Sequence, residues 1–296
     1  MASVQDIKRR IRSVRNTRKI TRALELVAAA KLRRAQIRIE AMRPYADTMR
    51  ELIAGVGRAA SSVRGLPLLQ QRDEVKTVAI VPLTGDRGLA GAFNAQVIRR
   101  ALALDRRLRS EGQDVRWVAV GKKGCSTLSF RRRELSGSYQ GFTDQPAYGD
   151  AQAIAHRVAE LFTTGEVDRV VLVYNTYVSA LTQQVTEQDV LPISPDILET
   201  DEEERAADTL RGDFIFEPEP EEILERLLPV YLETQIYRAL LESTASEQGA
   251  RMTAMRNASK NAGELIDTLT LRMNRARQAE ITQEILEVVG GAEALL

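Results

Sequence analysis

The sequence predicts an α+β chain in which two long terminal helices pair antiparallel as a coiled coil, with an α/β domain inserted between them. Three observations predict this. Both ends carry apolar residues at alternating three- and four-residue spacing. The middle alternates short β-branched runs with helical stretches. No apolar stretch of about 18 residues exists that could cross a membrane.

Residues 1–62 read as the first helix. Ser3 suits the N-cap, with Asp6 three residues later as its capping partner. Val4, Ile7, Ile11 and Val14 form a stripe that slips, then resumes at Ala28, Leu32, Ala35, Ile39 and Met42. A heptad stripe with a slip predicts a coiled coil carrying a stutter. Pro44 is expected to kink this helix rather than end it, because the helical period continues beyond it.

Residues 75–195 read as the α/β domain, Rossmann-like with a mainly parallel sheet. VKTVAIVPLT, VRWVAVG and DRVVLVYNTY are short runs rich in β-branched residues, as buried strands are. NAQVIRRALALDRRLRSEG and AQAIAHRVAELFTTG between them are helical. VSALTQQVTEQDVLPI alternates partially and predicts an added strand pair or an edge strand. Residues 196–219 form an acidic connecting segment.

Residues 220–296 read as the second long helix. Pro220 and clustered glutamates open it. Ala262, Ile266, Leu269, Met273 and Ala276 supply the seam, and Gly290 with Gly291 is expected to stop it. At 1.5 Å per residue each terminal helix would extend about 80–100 Å, too long to bury in a small domain. The two must therefore pack on each other. The small residues from Ala245 to Gly263 and at 28–30 would let the backbones approach closely.

Composition excludes several kinds of chemistry. One cysteine, Cys125, forbids an internal disulfide and a cysteine metal site, and one histidine, His156, forbids a histidine cluster. TGDRGLAGAFN follows the first strand but lacks the Lys-Ser or Lys-Thr of a Walker A loop, and its glycines do not fit GxGxxG. It reads as a tight strand-to-helix turn. No catalytic residue, metal ligand or cofactor site is assigned. The isolated chain is expected to bind ATP no better than an arbitrary protein.

The net charge is +1, yet residues 1–50 carry fourteen cations against four acids. Arg9, Arg12, Lys19, Arg22, Lys31 and Arg33 are taken as a basic face on the first helix. Such a face seeks an anionic partner, either an acidic protein surface or nucleic acid. A nucleic-acid-binding coiled coil is thus one alternative function, and a small α/β enzyme using the DRGLAG turn is another.

ITQEILEVVGGAEA near the C-terminus resembles the signature of ATP synthase gamma subunits, met by Ile281, Thr282, Glu284, Glu287, Gly291 and Ala292. NTRKITRALELVAAAKLRRAQ, TGDRGLAGAFN and SEQGARMTAMRNASKNA are similar to the same family. The resemblance covers essentially the whole chain. It implies a non-catalytic central-stalk rotor subunit of a proton-translocating ATP synthase, linking a membrane ring of c subunits to the catalytic head. Implied partners are three alpha and three beta subunits, epsilon and the c-ring, with no nucleic acid. Implied location is the inner (plasma) membrane of a bacterium, peripheral on its cytoplasmic side, held only through the complex. The family also implies that Arg277, Gln278 and Thr282 meet an acidic catch loop of a beta subunit. It implies a c-ring contact at the foot near Phe214, Phe216 and Glu217. Some photosynthetic members carry a regulatory cysteine pair in an inserted segment; DILETDEEERAADTLRGD here has none, so thiol switching is not expected.

Overall fold

The computed structural model describes residues 3–60, 65–180, 182–198 and 217–293, with side chains described to residue 289. The long elements are α1 (Val4–Ala59), β1 (Thr77–Pro82), α2 (Phe93–Ser110), β2 (Asp114–Val120) and α3 (Lys122–Phe130). They continue with β3 (Leu135–Tyr139), α4 (Tyr148–Thr163), β4 (Arg169–Tyr177), β5 (Gln183–Leu191) and α5 (Pro220–Glu293). Two compact units result: Met1–Ala29 with Arg251–Leu296, and Ala30–Ala250.

In the first unit, Ser3 caps α1 as its sequence predicts. The Asp6 amide donates to Ser3 Oγ at 3.2 Å, and that hydroxyl donates to the Asp6 carboxylate at 3.1 Å. Ile7 and Ile11 pack with Ile266 and Leu269, flanked by Val14, Met273 and Ala276. Arg256 reaches Glu25 at 3.1 Å, while Arg18 lies beside Gly263. Rising numbers on α1 thus meet falling numbers on α5, and the pair is antiparallel.

The expected slip in α1 is corrected. The buried or half-buried positions 4, 7, 11, 14, 21, 25 and 28 keep one heptad phase, although Arg18 between them is exposed, and Thr21 and Glu25 are only 8% and 5% exposed. The seam keeps its geometry where its residues turn polar. Hydropathy fades there, but the period does not. Glu25 is tolerated because Arg22 at 2.8 Å and Arg256 at 3.1 Å flank it. Burial works against its ionisation, yet the hydrogen bonds and charges of Arg256 and Arg22 prevail and hold its carboxyl below the usual range.

A second correction concerns the end of α5. The helix continues through Gly290 and Gly291 to Glu293. A glycine costs only about 1 kcal/mol in a helix interior, too little to stop an already nucleated helix. As its helical period predicts, α1 does not end at Pro44, and α5 continues through Pro229.

The second unit is built on a five-stranded sheet ordered β3-β2-β1-β4-β5. β1, β2, β3 and β4 are parallel, and β5 closes the edge antiparallel to β4. Side chains alternate between its faces. Val78, Ile80, Trp117, Ala119, Val171 and Val173 meet α2 and α3 through Val97, Leu104 and Leu128. Ala79, Val81, Val118, Val120 and Leu172 face the opposite way. There they meet α4 through Ile154 and Phe162, α1 through Ile53 and Val56, and α5 through Leu228, Leu232 and Ile236. Both faces are covered, which is why the strands read as nearly unbroken apolar runs.

Candidate functional site

The glycine-rich turn after β1 sits at the carboxyl ends of the parallel strands, where α/β sheets commonly place ligands. Thr84 Oγ1 donates to the Val120 carbonyl at 2.7 Å and accepts from the Gly124 amide at 2.8 Å. The Gly85 amide donates to Asn94 Oδ1 at 2.8 Å, which joins the two ends of the turn. Gly121, with φ +85°, lets the next loop approach: a Cβ there would lie 2.0 Å from the Thr84 carbonyl oxygen. Only glycine fits both demands.

Asp86 occupies the centre. Its carboxylate accepts from the amides of Lys122 (2.9 Å), Gly141 (2.9 Å) and Thr143 (3.0 Å), and from Thr143 Oγ1 (2.9 Å). Burial opposes its charge, but these donors outweigh burial and hold its carboxyl below the ordinary range. The arrangement is an anion nest already filled by the chain's own side chain. A phosphate would have to displace Asp86, so the turn is a structural lock joining β1, β2 and β3.

Asp86→Asn should therefore lower stability by about 2 kcal/mol at neutral pH, since hydrogen bonds to a charged acceptor are worth about 1.5–3 kcal/mol and two of these donors are exposed. A depressed folded pKa stabilises above the unfolded value and is lost as pH falls through the folded one. The deficit of the variant should thus shrink as pH drops below about 3.8. Urea unfolding at neutral and acidic pH checks this; a deficit that grows with acid would refute the assignment.

The same lock grips α5. Residues Glu242–Gly249 are buried all round, including six polar side chains. Thr244 Oγ1 donates to the Thr143 carbonyl at 2.9 Å, and Ser246 Oγ to the Asn175 carbonyl at 3.0 Å. Gln248 Nε2 donates to Asp144 Oδ1 at 2.9 Å, and Lys31 of α1 pairs with the other oxygen of Asp144. A Cβ at Gly85 would lie 2.7 Å from the Glu247 carboxylate, so the turn and the helix are pressed together. Nearer the start of α5, Tyr148 donates to Glu233 at 2.7 Å; burial first, then Glu233, push the tyrosine hydroxyl well up. This collar was not foreseen. The stretch SEQGA gave a signal only as small residues, not as a polar clamp.

The residues singled out on the terminal turns of α5 are exposed. Arg277, Gln278 and Thr282 all face solvent, with Gln278 and Thr282 on one stripe joined by a 2.8 Å bond from Thr282 Oγ1 to the Gln278 carbonyl. Of the signature residues, Ile281, Glu284 and Glu287 are exposed, and Gly291 and Ala292 lie in the last helical turn. Ile281, Ile285, Leu286, Val288 and Val289 present bare apolar surface there.

The basic residues of α1 do not behave as one uniform face. Arg9 pairs with Asp6, Arg22 with Glu25 and Lys31 with Asp144. Arg12, Lys19 and Arg33 are exposed without an ion pair among the described residues. Glu217 is exposed, while Phe214 and Phe216 lie outside the described residues. Among the described residues no group of three or more metal-ligating side chains assembles, and no helix is long and apolar enough to cross a membrane.

Known proteins give this geometry a context. Residues 3–295 match the family described as ATP synthase. The ATP synthase gamma chain of Rubrobacter xylanophilus is 48% identical over 295 residues, covering 100% of this chain and 99% of its own. That of Desulfitobacterium hafniense is 46% identical with 100% of both covered. Among solved structures, the central stalk and c-ring of the Tetrahymena thermophila mitochondrial ATP synthase contains a chain similar to this one. It is 29% identical with a TM-score of 0.59, over 81% of this chain and 99% of that one. A Euglena gracilis mitochondrial ATP synthase chain shares the fold at TM-score 0.67 and 20% identity, over 99% and 94%.

Proposed function

Since this chain belongs to the ATP synthase gamma-chain family, we propose that it is the central-stalk rotor of a proton-translocating ATP synthase, carrying rotation between a membrane c-ring and a catalytic head. The observation that carries this is the 48% identity to a gamma chain over the full length of both. The chain is a non-catalytic subunit of that complex. The Asp86 carboxylate occupies the amides of Lys122, Gly141 and Thr143, so an anion binding at those amides would have to displace it.

The physical reading is a ligand with unequal sides. A rotor biases each catalytic subunit only through contacts that differ between that subunit's states. Arg277, Gln278 and Thr282 are our choice for the contact with an acidic catch loop of a beta subunit. Arginine can hold a carboxylate through two parallel hydrogen bonds. Exposed Arg12, Lys19 and Arg33 form a second cationic stretch for the head. Phe214, Phe216 and Glu217 are assigned to the foot, at the c-ring. Three alpha, three beta and one epsilon subunit complete the proposed partners, at the cytoplasmic side of a bacterial inner membrane. The proposed working parts are residues 1–62 and 220–296 as shaft, 75–195 as the α/β domain and 196–219 as an acidic connector. Nucleic-acid binding is not retained, because half of the basic face is already paired within the chain.

Cys125 is buried, so a thiol introduced by Glu111→Cys in an exposed turn will label selectively. A bead attached there, with the head immobilised, should turn in one sense while ATP is hydrolysed. A stationary bead on complexes that hydrolyse ATP normally would overturn the rotor reading.

A further inference from the structure

Helices α2 and α3 cover the sheet face opposite to the one that packs α1 and α5. Between their outer surfaces runs a groove of about 660 Å³. Ile98 and Leu102, one helical turn apart and half-buried, form an apolar floor. Arg99 and Arg106 of α2 line one rim, and Lys123 of α3 with Arg131 just after it the other. All four cations are exposed, and none has an ion pair among the described residues. No carboxylate among the described residues lines the groove, and Asp105 of α2 is fully buried and spent: Arg109 takes one oxygen at 2.8 Å and Arg133 the other at 2.7 Å.

Four like charges around one concavity repel one another and concentrate anions. Their spacing identifies the anion. Arg99 and Arg106 are seven residues apart, about 10 Å along the helix, and Lys123 and Arg131 are eight apart, about 12 Å. That span is too long for a single phosphate and matches two turns of a helix bearing carboxylates every three or four residues. The apolar floor fits the other face of such a helix. Nucleic acid is a poorer match, because no aromatic side chain lines the groove for base stacking. A bilayer surface is flat on this scale and cannot follow the concavity.

We propose that the α2–α3 groove is a docking site for an acidic amphipathic segment of a partner protein, held by Arg99, Arg106, Lys123 and Arg131 over the Ile98–Leu102 floor. It is a contact separate from the rotor contacts on α1 and α5. Arginine forks on the partner's carboxylates supply specificity, and long-range attraction raises the association rate.

The test uses the whole chain in cell membranes, with p-benzoylphenylalanine placed at Ala95, an exposed residue of the groove. After irradiation, mass spectrometry should find the cross-link on a segment of another polypeptide rich in Asp and Glu. Arg99→Glu with Arg131→Glu should reduce the cross-linked yield at least tenfold. Arg116→Glu, exposed but outside the groove, should leave the yield unchanged. Cross-links confined to lipid, nucleic acid or a second copy of this chain would overturn the proposal, as would a yield indifferent to the double reversal or no cross-link at all. Co-purification of the chain with alpha and beta subunits, read in the same membranes, separates failure of the groove from failure of the rotor reading.

Discussion

Arg277→Ala combined with Thr282→Ala is expected to lower steady-state ATP turnover of the assembled complex about 100-fold. The two side chains are exposed near the end of α5 and spend little on their own helix: Thr282 bonds only the Gln278 carbonyl, and Arg277 has no ion pair among the described residues. Their bonding capacity is therefore available to a partner. Each hydrogen bond to a carboxylate that is partly shielded in an interface is worth about 1.5 kcal/mol or more, and two such losses amount to about 3 kcal/mol, or roughly 100-fold. The loss should fall on the passage of binding changes between catalytic sites, because neither residue touches nucleotide chemistry. Hydrolysis at substoichiometric ATP, where one site works alone, should change less than threefold. Both rates are measured on one preparation. Equal losses in the two, or none in either, would remove these residues from the catch.

Leu269→Asp is expected to cost about 4 kcal/mol in the coiled-coil unit. Leu269 is 9% exposed and packs with Ile7, Ile11 and Ile266 in a cluster with only four buried members. Removing a buried leucine side chain costs about 2–5 kcal/mol, and a carboxylate put in its place adds a desolvation penalty with no cation in the cluster to meet it. So small a cluster cannot redistribute the loss. The other unit has its own core, with the single tryptophan, Trp117, buried in it. The helical signal in circular dichroism should therefore begin to melt earlier in urea, while the Trp117 fluorescence transition moves little. An unshifted helical transition would show that Leu269 is not in the seam.

What the sequence revealed followed from how completely each segment is buried. β1, β2 and β4 have apolar packing on both faces, so almost every residue declares itself. β3 escaped notice: LSGSY is half-exposed at the sheet edge, next to only one strand, and carries two serines and a glycine. α3 was also missed, since KKGCSTLSF is short and buries few side chains. In α1 the seam was legible at Ile7 and Ile11 and illegible at Thr21, whose hydroxyl bonds the Arg18 carbonyl, and at Glu25, where ion pairs replace apolar contact. The Asp86 nest could not be foreseen at all. Three of its four donors are backbone amides, of Lys122, Gly141 and Thr143, which almost any residue type could supply; only the Thr143 hydroxyl is specific to its side chain. Arg277 and Thr282 stood out only by resemblance, because exposed polar residues on a helix have no internal pattern to betray them.

The all-round burial of Glu242–Gly249 has a mechanical consequence. A helix touched on one side can roll about its axis or bend away at small cost, since few neighbours must move with it. A helix enclosed on every side, with Thr244 and Gln248 bonded to the 143–144 loop and Ser246 to β4, can do neither without breaking several bonds together. Under a twisting load this stretch therefore acts as a rigid chuck. The segments held by a single stripe, such as the Ile7–Leu269 seam, act as the compliant part. Elastic energy stored between a step at one end and a response at the other would accumulate in those thin stretches and not in the α/β domain.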